Sequence, residues 1–308
     1  MNPKSKRLLV ASLVIGVMGA VMIISQITRE RPVTISPSRM ACQSLDFSGR
    51  RAYQHVLNQV ALGPRYPGST GHQALQRYME WTLGETGWRV ERHRHSGNVV
   101  NLVGKREGAE GPVVLLGTHY DTRLYADADP DQPGQPVPGG NDGASGVAVL
   151  LELARVLADE ETPNEIWLAF FDAEDQGGLN GHRWAEGATL EADFLEHSYI
   201  ALVIVVDMVG DADQQVFIER RSHRSTAQRL WSMAGELGYG EWFVPETRYR
   251  ILDDHVPFAR CGIPSVLVID MDYAYHHTTA DTADKVSPLS LERVGRTLEM
   301  FLKSSRVD

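Results

Sequence analysis

The stretch that decides the fold is Gly-Gly-Asn-Asp-Gly-Ala-Ser-Gly at residues 139–146, followed by Val-Ala-Val-Leu-Leu-Glu-Leu-Ala-Arg-Val-Leu at residues 147–157. The second half has apolar residues at helical spacing without glycine or proline, which predicts a buried helix. The first half is a glycine-rich loop that leads into this helix, with Asn141 and Asp142 at the cap position. Asp142 could simply cap the helix, or it could be a ligand, because strand-to-helix loops of α/β sheets bind metals and substrates.

Apolar runs elsewhere in the chain predict strands, and most of these runs lead into a histidine or an acidic residue. The runs and the polar residues that follow them are Val113–Gly117 with His119, Ile166–Phe171 with Glu174 and Asp175, Ala201–Val206 with Asp207, and Ile263–Ile269 with His277. Helices and strands alternate along the chain. This order predicts an α/β fold, a three-layer α/β/α sandwich around a mixed, mostly parallel sheet.

The polar residues at the predicted strand ends share one location in such a sheet. The carboxyl ends of the strands face one crevice, and the residues expected to meet there are His119, Asp142, Glu174, Asp175, Asp207 and His277. Mixed histidine and carboxylate ligands suit zinc, and an open coordination position makes a zinc site catalytic. The competing interpretation treats the histidines as satisfied core residues and the acids as caps or salt bridges.

Composition limits the classes of function. The chain has 308 residues, 43% of them hydrophobic, which is ample for one sizeable α/β core. A formal net charge of −10 argues against a nucleic-acid partner, because no basic stripe is available to neutralise phosphates. The two cysteines, Cys42 and Cys261, do not have the spacing of metal ligands, and their pairing as a disulfide stays open.

The N-terminal region predicts a membrane segment. Residues 8–27 form an apolar run with basic residues on both sides, and a helix of about 20 residues spans a bilayer. We therefore divide the chain into an N-terminal membrane anchor or signal segment (1–28), a linker (29–44) and a catalytic domain (45–308). An anchor at residues 8–27 would place the catalytic domain outside the cytoplasm, periplasmic or extracellular.

Six motifs together resemble the zinc aminopeptidase and glutaminyl cyclase family (metallopeptidase clan MH), most of all its bacterial cyclotransferase-like members. The resemblance runs from about Phe47 to the C-terminus. The motifs are Gly-Thr-His-Tyr-Asp at 117–121, Asn-Asp-Gly-Ala-Ser-Gly at 141–146, Phe-Asp-Ala-Glu-Asp at 171–175, Val-Asp-Met-Val-Gly at 206–210, Asp-Asp-His-Val-Pro-Phe at 253–258 and His-Thr-Thr-Ala-Asp-Thr at 277–282.

The resemblance implies a role for each matching residue. Asp142, Asp175 and His277 would bind the zinc common to both branches of the family, and Glu174 would be the general acid and base. The two residues that would complete a second metal site in aminopeptidases are His119 and Asp207. One zinc is expected for a cyclase and two for an aminopeptidase. Two positions depart from the family: Asp175, where many members have Glu, and His276, where the animal cyclases have Trp.

Both branches act on peptide N-termini, and the resemblance favours the cyclase, which converts N-terminal Gln to pyroglutamate with release of ammonia. The acid Asp253, the sequence Phe-Phe-Asp-Ala-Glu-Asp at 170–175 and the segment Ala61–Ser69 are all similar to the cyclases. Asp207 and Asp253 would form an acidic hydrogen-bond chain beside Glu174. The alternatives are a two-metal aminopeptidase and, less favoured because Glu174 is intact, an inactive membrane-tethered binding domain.

Overall fold

The computed structural model describes residues 35–37, 44–106, 111–195 and 199–307. The helices are α1 Gly49–Val60, α2 Thr70–Glu85, α3 Ala144–Val156, α4 Glu186–Phe194, α5 Arg224–Glu236, α6 His255–Arg260 and α7 Pro288–Ser304. The strands are β1 Ile35–Pro37, β2 Arg89–Arg94, β3 Val100–Lys105, β4 Val113–His119, β5 Glu165–Phe171, β6 Ile200–Asp207, β7 Val216–Ile218, β8 Phe243–Thr247, β9 Ser265–Ile269 and β10 Ser305–Val307.

A six-stranded mixed sheet with the order β2-β3-β5-β4-β6-β9 forms the centre of the fold. The pairs β5–β4, β4–β6 and β6–β9 are parallel, and β2–β3 and β3–β5 are antiparallel. Two small sheets, antiparallel β1–β10 and parallel β7–β8, lie outside it. The predicted mixed, mostly parallel sheet is therefore confirmed.

Helices cover the central sheet on both faces, because its inner strands are apolar on both sides. In β4, Val114 and Leu116 belong to one hydrophobic core and Val113 and Leu115 to the other. The first core contains residues of α1, α3 and α7, and the second contains residues of α4 and α6. A continuous apolar run such as β4 is typical of a strand buried on both faces, and the result is the three-layer sandwich.

The glycine content of residues 177–187 predicts one glycine-rich loop over the whole stretch, and helix α4 differs from this expectation. The loop ends at Ala185, and Gly187 lies in the first turn of α4. A Cβ at Gly187 would approach the carbonyl oxygen of Asp172 to 2.1 Å. Glycine at this position allows a close helix–strand contact, so it was wrong to read it as part of a loop. The short elements α6, β7 and β8 were also not predicted.

The predicted N-terminal segment lies almost entirely outside the described residues. Residues 8–27 belong to that part, so the anchor stays a prediction. Within the ranges given above, no helix combines the length and the apolar character that crossing a bilayer requires. Residues 35–37 of the predicted linker form β1. Cys261 is half-buried, and Cys42 is not among the described residues.

Candidate metal centre

Three neighbouring parallel strands bring the predicted ligands to one edge of the sheet. β4 ends at His119, β6 ends at Asp207, and β5 ends at Phe171, just before Glu174 and Asp175. Their register aligns these ends, since His119 pairs with Phe171. The sequence-based expectation that these side chains share one crevice is met by this arrangement.

The glycines of the 139–146 motif let the start of α3 press onto the sheet. A Cβ at Gly143 would lie 2.7 Å from Nε2 of His119, and a Cβ at Gly146 would lie 2.1 Å from Oγ1 of Thr118. The N-cap residue of α3 is Gly143, which forms no side-chain cap. Asp142 is therefore not the cap of this helix. Its carboxylate is instead held beside His119 by the close approach.

Asp142 lies between two histidines. His119 Nε2 is 3.1 Å from Asp142 Oδ1 and 2.9 Å from Asp207 Oδ1. On the other side, His277 Nε2 is 3.7 Å from Asp142 Oδ2 and 2.8 Å from Asp175 Oδ1. The geometry therefore contains two adjoining groups that share Asp142, and they correspond to the two metal positions implied by the resemblance.

Two carboxylates of this cluster are buried and incompletely satisfied. Asp142 and Asp175 are 3% and 1% exposed. Within the described part of the chain, Oδ2 of each has no hydrogen-bond partner. Leaving a buried charged oxygen unpaired is costly, whereas coordination of a cation satisfies it. Two carboxylates and a histidine are also the donor types that zinc takes, so the residues fit a zinc ion.

Burial and neighbouring charges alter the protonation of these acids. Burial raises the pKa of Glu174 well above its ordinary value, and the negative charges of Asp254, Asp253 and Asp175 add to the effect. Burial and the charge of Asp142 likewise raise the pKa of Asp175. Burial opposes ionisation of Asp142 too, but the hydrogen bond and charge of His119 outweigh it and lower the pKa of that carboxyl.

Asp253 belongs to the same group of acids. It is 4% exposed, and burial together with the charges of Asp207 and Asp254 raises its pKa well above the ordinary value. Asp254 beside it is fully buried, and neither of its carboxylate oxygens has a hydrogen-bond partner among the described residues. A protonated carboxyl among these acids can donate a hydrogen bond that a carboxylate cannot.

Asp121 positions the loop that carries Glu174 and Asp175, a role the sequence analysis did not assign. Its Oδ1 accepts the backbone N–H of Glu174 at 3.0 Å, and its Oδ2 accepts that of Asp175 at 3.3 Å. Oδ1 also lies 3.5 Å from Nδ1 of His119. The available signal was its place two residues after His119, at the end of a buried strand.

Asp281 holds the loop that carries Asp142 in the same way, and the sequence analysis did not assign this role either. Its carboxylate accepts the backbone N–H groups of Asn141 at 2.8 Å and Asp142 at 3.2 Å, and the hydroxyl of Tyr273 at 2.6 Å. Burial and the charge of Asp142 raise the pKa of Asp281 to about 7. Asp281 is far from Asp142 in sequence, so only the quoted motif at 277–282 hinted at it.

Left-handed backbone conformations mark the same site. The φ angles of Ala173, Met208 and His277 are 54°, 46° and 56°. These residues are, respectively, the one before Glu174, the one after Asp207 and a predicted ligand itself. Such conformations are costly for residues other than glycine and concentrate at functional sites.

A cavity of about 390 Å³ opens onto this cluster. The polar residues that line it are Asp142, Glu174, Asp175, Asp207, Asp253, His276 and His277. Its apolar wall is formed by Trp184, Met208, Ile251, Leu252, Ile269 and Met271. The cavity thus combines most of the predicted site residues with an apolar surface, while His119 is not one of its lining residues.

From the sequence, two loops are expected to shape the mouth of the pocket: residues 124–138, rich in Asp, Pro and Gly, and the glycine-rich residues 177–187. The structure places them differently. Trp184 of the 177–187 loop lines the cavity and stacks on His277, with ring centroids 6.0 Å apart. The 124–138 loop contributes no residue to the lining of this cavity. It instead supports the His277 loop, since Asp129 Oδ2 accepts the backbone N–H of Thr279 at 3.0 Å.

The chain is similar to known proteins over most of its length. The family model described as Peptidase family M28 matches residues 99–302. A glutaminyl-peptide cyclotransferase-like protein of Mus musculus is 27% identical over 77% of this chain and 71% of its own length.

Two solved structures are similar to most of this chain. A Zn-dependent exopeptidase from Parabacteroides distasonis has a TM-score of 0.79 and 30% identity, and the match covers 84% of this chain and 99% of that one. A glutaminyl cyclase from Tannerella forsythia has a TM-score of 0.77 and 30% identity, with 83% and 98% covered. The chain belongs to peptidase family M28.

Proposed function

We propose that this protein is a zinc-dependent glutaminyl-peptide cyclotransferase, which converts an N-terminal glutamine to pyroglutamate and releases ammonia. One observation carries the proposal: a single cavity of about 390 Å³ is lined by Glu174, by Asp253 and Asp207, and by Asp142, Asp175 and His277. A proton-carrying acid, two further acids and the residues that fit zinc therefore face the same small volume. The similarity to the glutaminyl cyclase of Tannerella forsythia supports the same reaction.

The zinc would be held by Asp142, Asp175 and His277. Oδ2 of Asp142 and Oδ2 of Asp175 are incompletely satisfied and fit a cation, and His277 Nε2 lies beside Asp175 Oδ1. When bound, zinc supplies Lewis-acid polarisation of the γ-amide carbonyl of the substrate glutamine. The apolar wall, with Trp184 and Ile251 among its residues, would pack against the glutamine methylene groups and exclude water from the reacting atoms. Exclusion of water favours cyclisation over hydrolysis.

Glu174 would move the proton. It takes a proton from the α-amine of the peptide, whose nitrogen forms a bond to the γ-amide carbon. The bond between that carbon and the amide nitrogen breaks, and Glu174 returns the proton so that ammonia leaves. A carboxyl whose pKa is raised by burial and by neighbouring acids suits this exchange, because its protonated form is also accessible. Asp207 and Asp253 would hold the leaving amide by hydrogen bonds.

An aminopeptidase with two metal ions is the second candidate. The observation that favours it is the group formed by His119, Asp142 and Asp207, whose donor atoms lie close enough together to hold a second ion. The similarity to the exopeptidase of Parabacteroides distasonis supports it as well. In this case two ions would activate water against the first peptide bond.

The products of two matched substrates distinguish these candidates. The full-length protein is incubated with a Gln-initiated and a Leu-initiated dipeptide, and ammonia, free leucine and zinc per chain are measured. A cyclase releases ammonia from the Gln substrate, leaves the Leu substrate intact and contains one zinc. Free leucine together with two metal ions per chain would establish the aminopeptidase and overturn the proposal.

We also propose that residues 8–27 anchor the protein in a membrane with the catalytic domain outside the cytoplasm. The support is the apolar run itself and the basic residues that flank it. Cell fractionation checks the proposal, with the protein expected in the membrane fraction and a deletion of residues 8–27 in the soluble fraction. A full-length chain found wholly in the soluble fraction would contradict it.

A further inference from the structure

His276 lies beside the zinc position but has no part in the function proposed above. Its Nε2 is 3.7 Å from Asp142 Oδ2, the same distance that separates His277 Nε2 from that oxygen. The rings of His276 and His277 are adjacent, with centroids 3.7 Å apart at an angle of 39°. Two imidazole nitrogens thus approach one carboxylate oxygen.

The distance of 3.7 Å distinguishes coordination from hydrogen bonding. A hydrogen bond between a ring N–H and a carboxylate oxygen is about 2.7–3.2 Å long, so neither histidine is hydrogen-bonded to this oxygen. Nitrogen and oxygen ligands bound to one zinc ion at about 2.0–2.2 Å in a tetrahedral arrangement lie roughly 3.3–3.6 Å from each other. The observed separations are close to that value. They are therefore the separations expected around a shared cation.

Asp142 Oδ2 provides an independent observation. The Asp142 side chain is 4% exposed, and Oδ2 has no hydrogen-bond partner among the described residues. A buried, unpartnered carboxylate oxygen that faces two imidazole nitrogens is costly unless a cation binds there. The donor atoms of Asp142, His276 and His277 lie within 4.8 Å of one another.

We propose that His276 is a further protein ligand of the zinc held by Asp142, Asp175 and His277. This inference rests on zinc binding at the proposed site and adds a nitrogen to it. His276 also lines the cavity, and its side chain is 32% exposed, the most open of the candidate ligands. Four protein ligands would fill a tetrahedral zinc site, so His276, as the most exposed of them, is the ligand that a substrate would displace.

Zinc affinity tests the assignment. His276→Phe keeps an aromatic ring for packing and removes both nitrogens, so loss of packing and loss of a ligand are separated. Removing even a hydrogen-bond partner of a zinc ligand weakens binding about 10–100-fold, and we expect at least a 10-fold weaker zinc affinity in competition with a chelator. The matched control is His182→Phe, another histidine next to a carboxylate, 2.7 Å from Glu186, which should bind zinc as the wild type does. Wild-type affinity in His276→Phe would overturn the inference.

A second variant gives a spectroscopic result that packing cannot imitate. His276→Cys places a thiolate at the same position, and thiolates bind zinc and cobalt directly. The cobalt-loaded variant should show a thiolate-to-cobalt charge-transfer band in the near ultraviolet, with the wild type, which carries Cys261, as the blank. A variant that binds cobalt without this band would also overturn the inference.

The two proposals fail in different ways. If His276→Phe binds zinc normally while ammonia is released from the Gln substrate, only the role of His276 is wrong. If zinc affinity depends on His276 but the wild type releases free leucine, only the cyclase proposal is wrong. The readout for His276 is metal affinity and absorption, so it does not depend on turnover.

Discussion

Among the buried histidine and carboxylate groups of the described residues, the cluster at the strand ends and the cluster around Glu191 differ in how their oxygens are satisfied. At the strand ends, Oδ2 of Asp142 and Oδ2 of Asp175 lack hydrogen-bond partners among the described residues. In the second cluster, both oxygens of Glu191 on α4 are bonded: Oε1 to His93 Nδ1 at 2.6 Å, and Oε2 to His95 Nε2 at 3.1 Å. Asn101 adds a further bond to Oε2 at 2.7 Å.

The difference shows that residue type alone does not identify a metal site. Glu191 is fully buried and its bonds are complete, so the second cluster joins α4 to β2 and β3 and needs no ion. The cluster at Asp142 faces a cavity and leaves buried oxygens free. Satisfied hydrogen bonds indicate a structural role, whereas converging unsatisfied ones indicate a ligand site.

The largest effect is expected for Asp142→Ala. Structural zinc binds with about 10–16 kcal/mol, or roughly 3 kcal/mol for each of four ligands, so zinc affinity should fall by at least ~100-fold and turnover should be lost. Zinc content after dialysis and ammonia release measure both effects. The matched variant in the other cluster, Glu191→Gln, should retain stoichiometric zinc. Full zinc occupancy in Asp142→Ala would refute its role as a ligand.

Glu174→Gln should affect chemistry without affecting metal. It removes the proton-carrying carboxyl but keeps its size, and general acid–base catalysis contributes about 10²–10⁴-fold. Turnover of a Gln-initiated dipeptide should fall by that factor while zinc content stays at the wild-type level. Unchanged turnover in this variant would be incompatible with the assignment of Glu174.

The second cluster predicts a dependence of stability on acid. Burial would raise the pKa of Glu191, but hydrogen bonds from His93 and His95 outweigh it and lower the pKa from 4.5 to about 2. Its contribution is therefore complete above pH 4.5 and is lost as the pH falls from there through about 2, on the order of 3 kcal/mol in all. Urea unfolding of the metal-free protein over this range measures it, with Glu191→Gln as reference. Curves that run parallel for the two proteins would contradict this role of Glu191.

The smallest effect is expected for the stability of Glu191→Gln at neutral pH. Glu191→Gln leaves buried donors of His93, His95 and Asn101 incompletely paired, which should lower the free energy of unfolding by about 1–3 kcal/mol. The control on the same helix is Glu186→Gln, whose partly exposed pair with His182 should contribute under about 1 kcal/mol. Denaturant unfolding compares the two. Equal losses of unfolding free energy in the two variants would show that the buried bonds of Glu191 do not contribute more to stability than the partly exposed pair.

The sequence predicted the central sheet because its inner strands are continuous apolar runs. It also predicted that the candidate site residues lie at one edge of the sheet, since His119 and Asp207 end strands and Glu174 follows one. What it missed depends on contacts distant in the chain. Gly187 resembled a loop residue because the carbonyl of Asp172 that excludes a side chain there belongs to another element.

The supporting residues of the site were hidden for the same reason. Asp281 holds the backbone of Asp142, 139 positions away in the chain, and no local pattern links them. His276 was recognised only as a departure from the tryptophan of animal cyclases. A sequence reveals neither the 3.7 Å distance from His276 to Asp142 nor the left-handed backbone of the adjacent His277, whose φ is 56°.

The most direct test is anomalous X-ray scattering at the zinc edge from crystals of the zinc-loaded protein. The account predicts one strong peak, bounded by Asp142, Asp175, His276 and His277, and none beside Glu191. A peak at the His93–Glu191–His95 cluster, or no peak at Asp142, would contradict the distinction between the two clusters. A second peak between His119 and Asp207 would contradict the single-zinc cyclase.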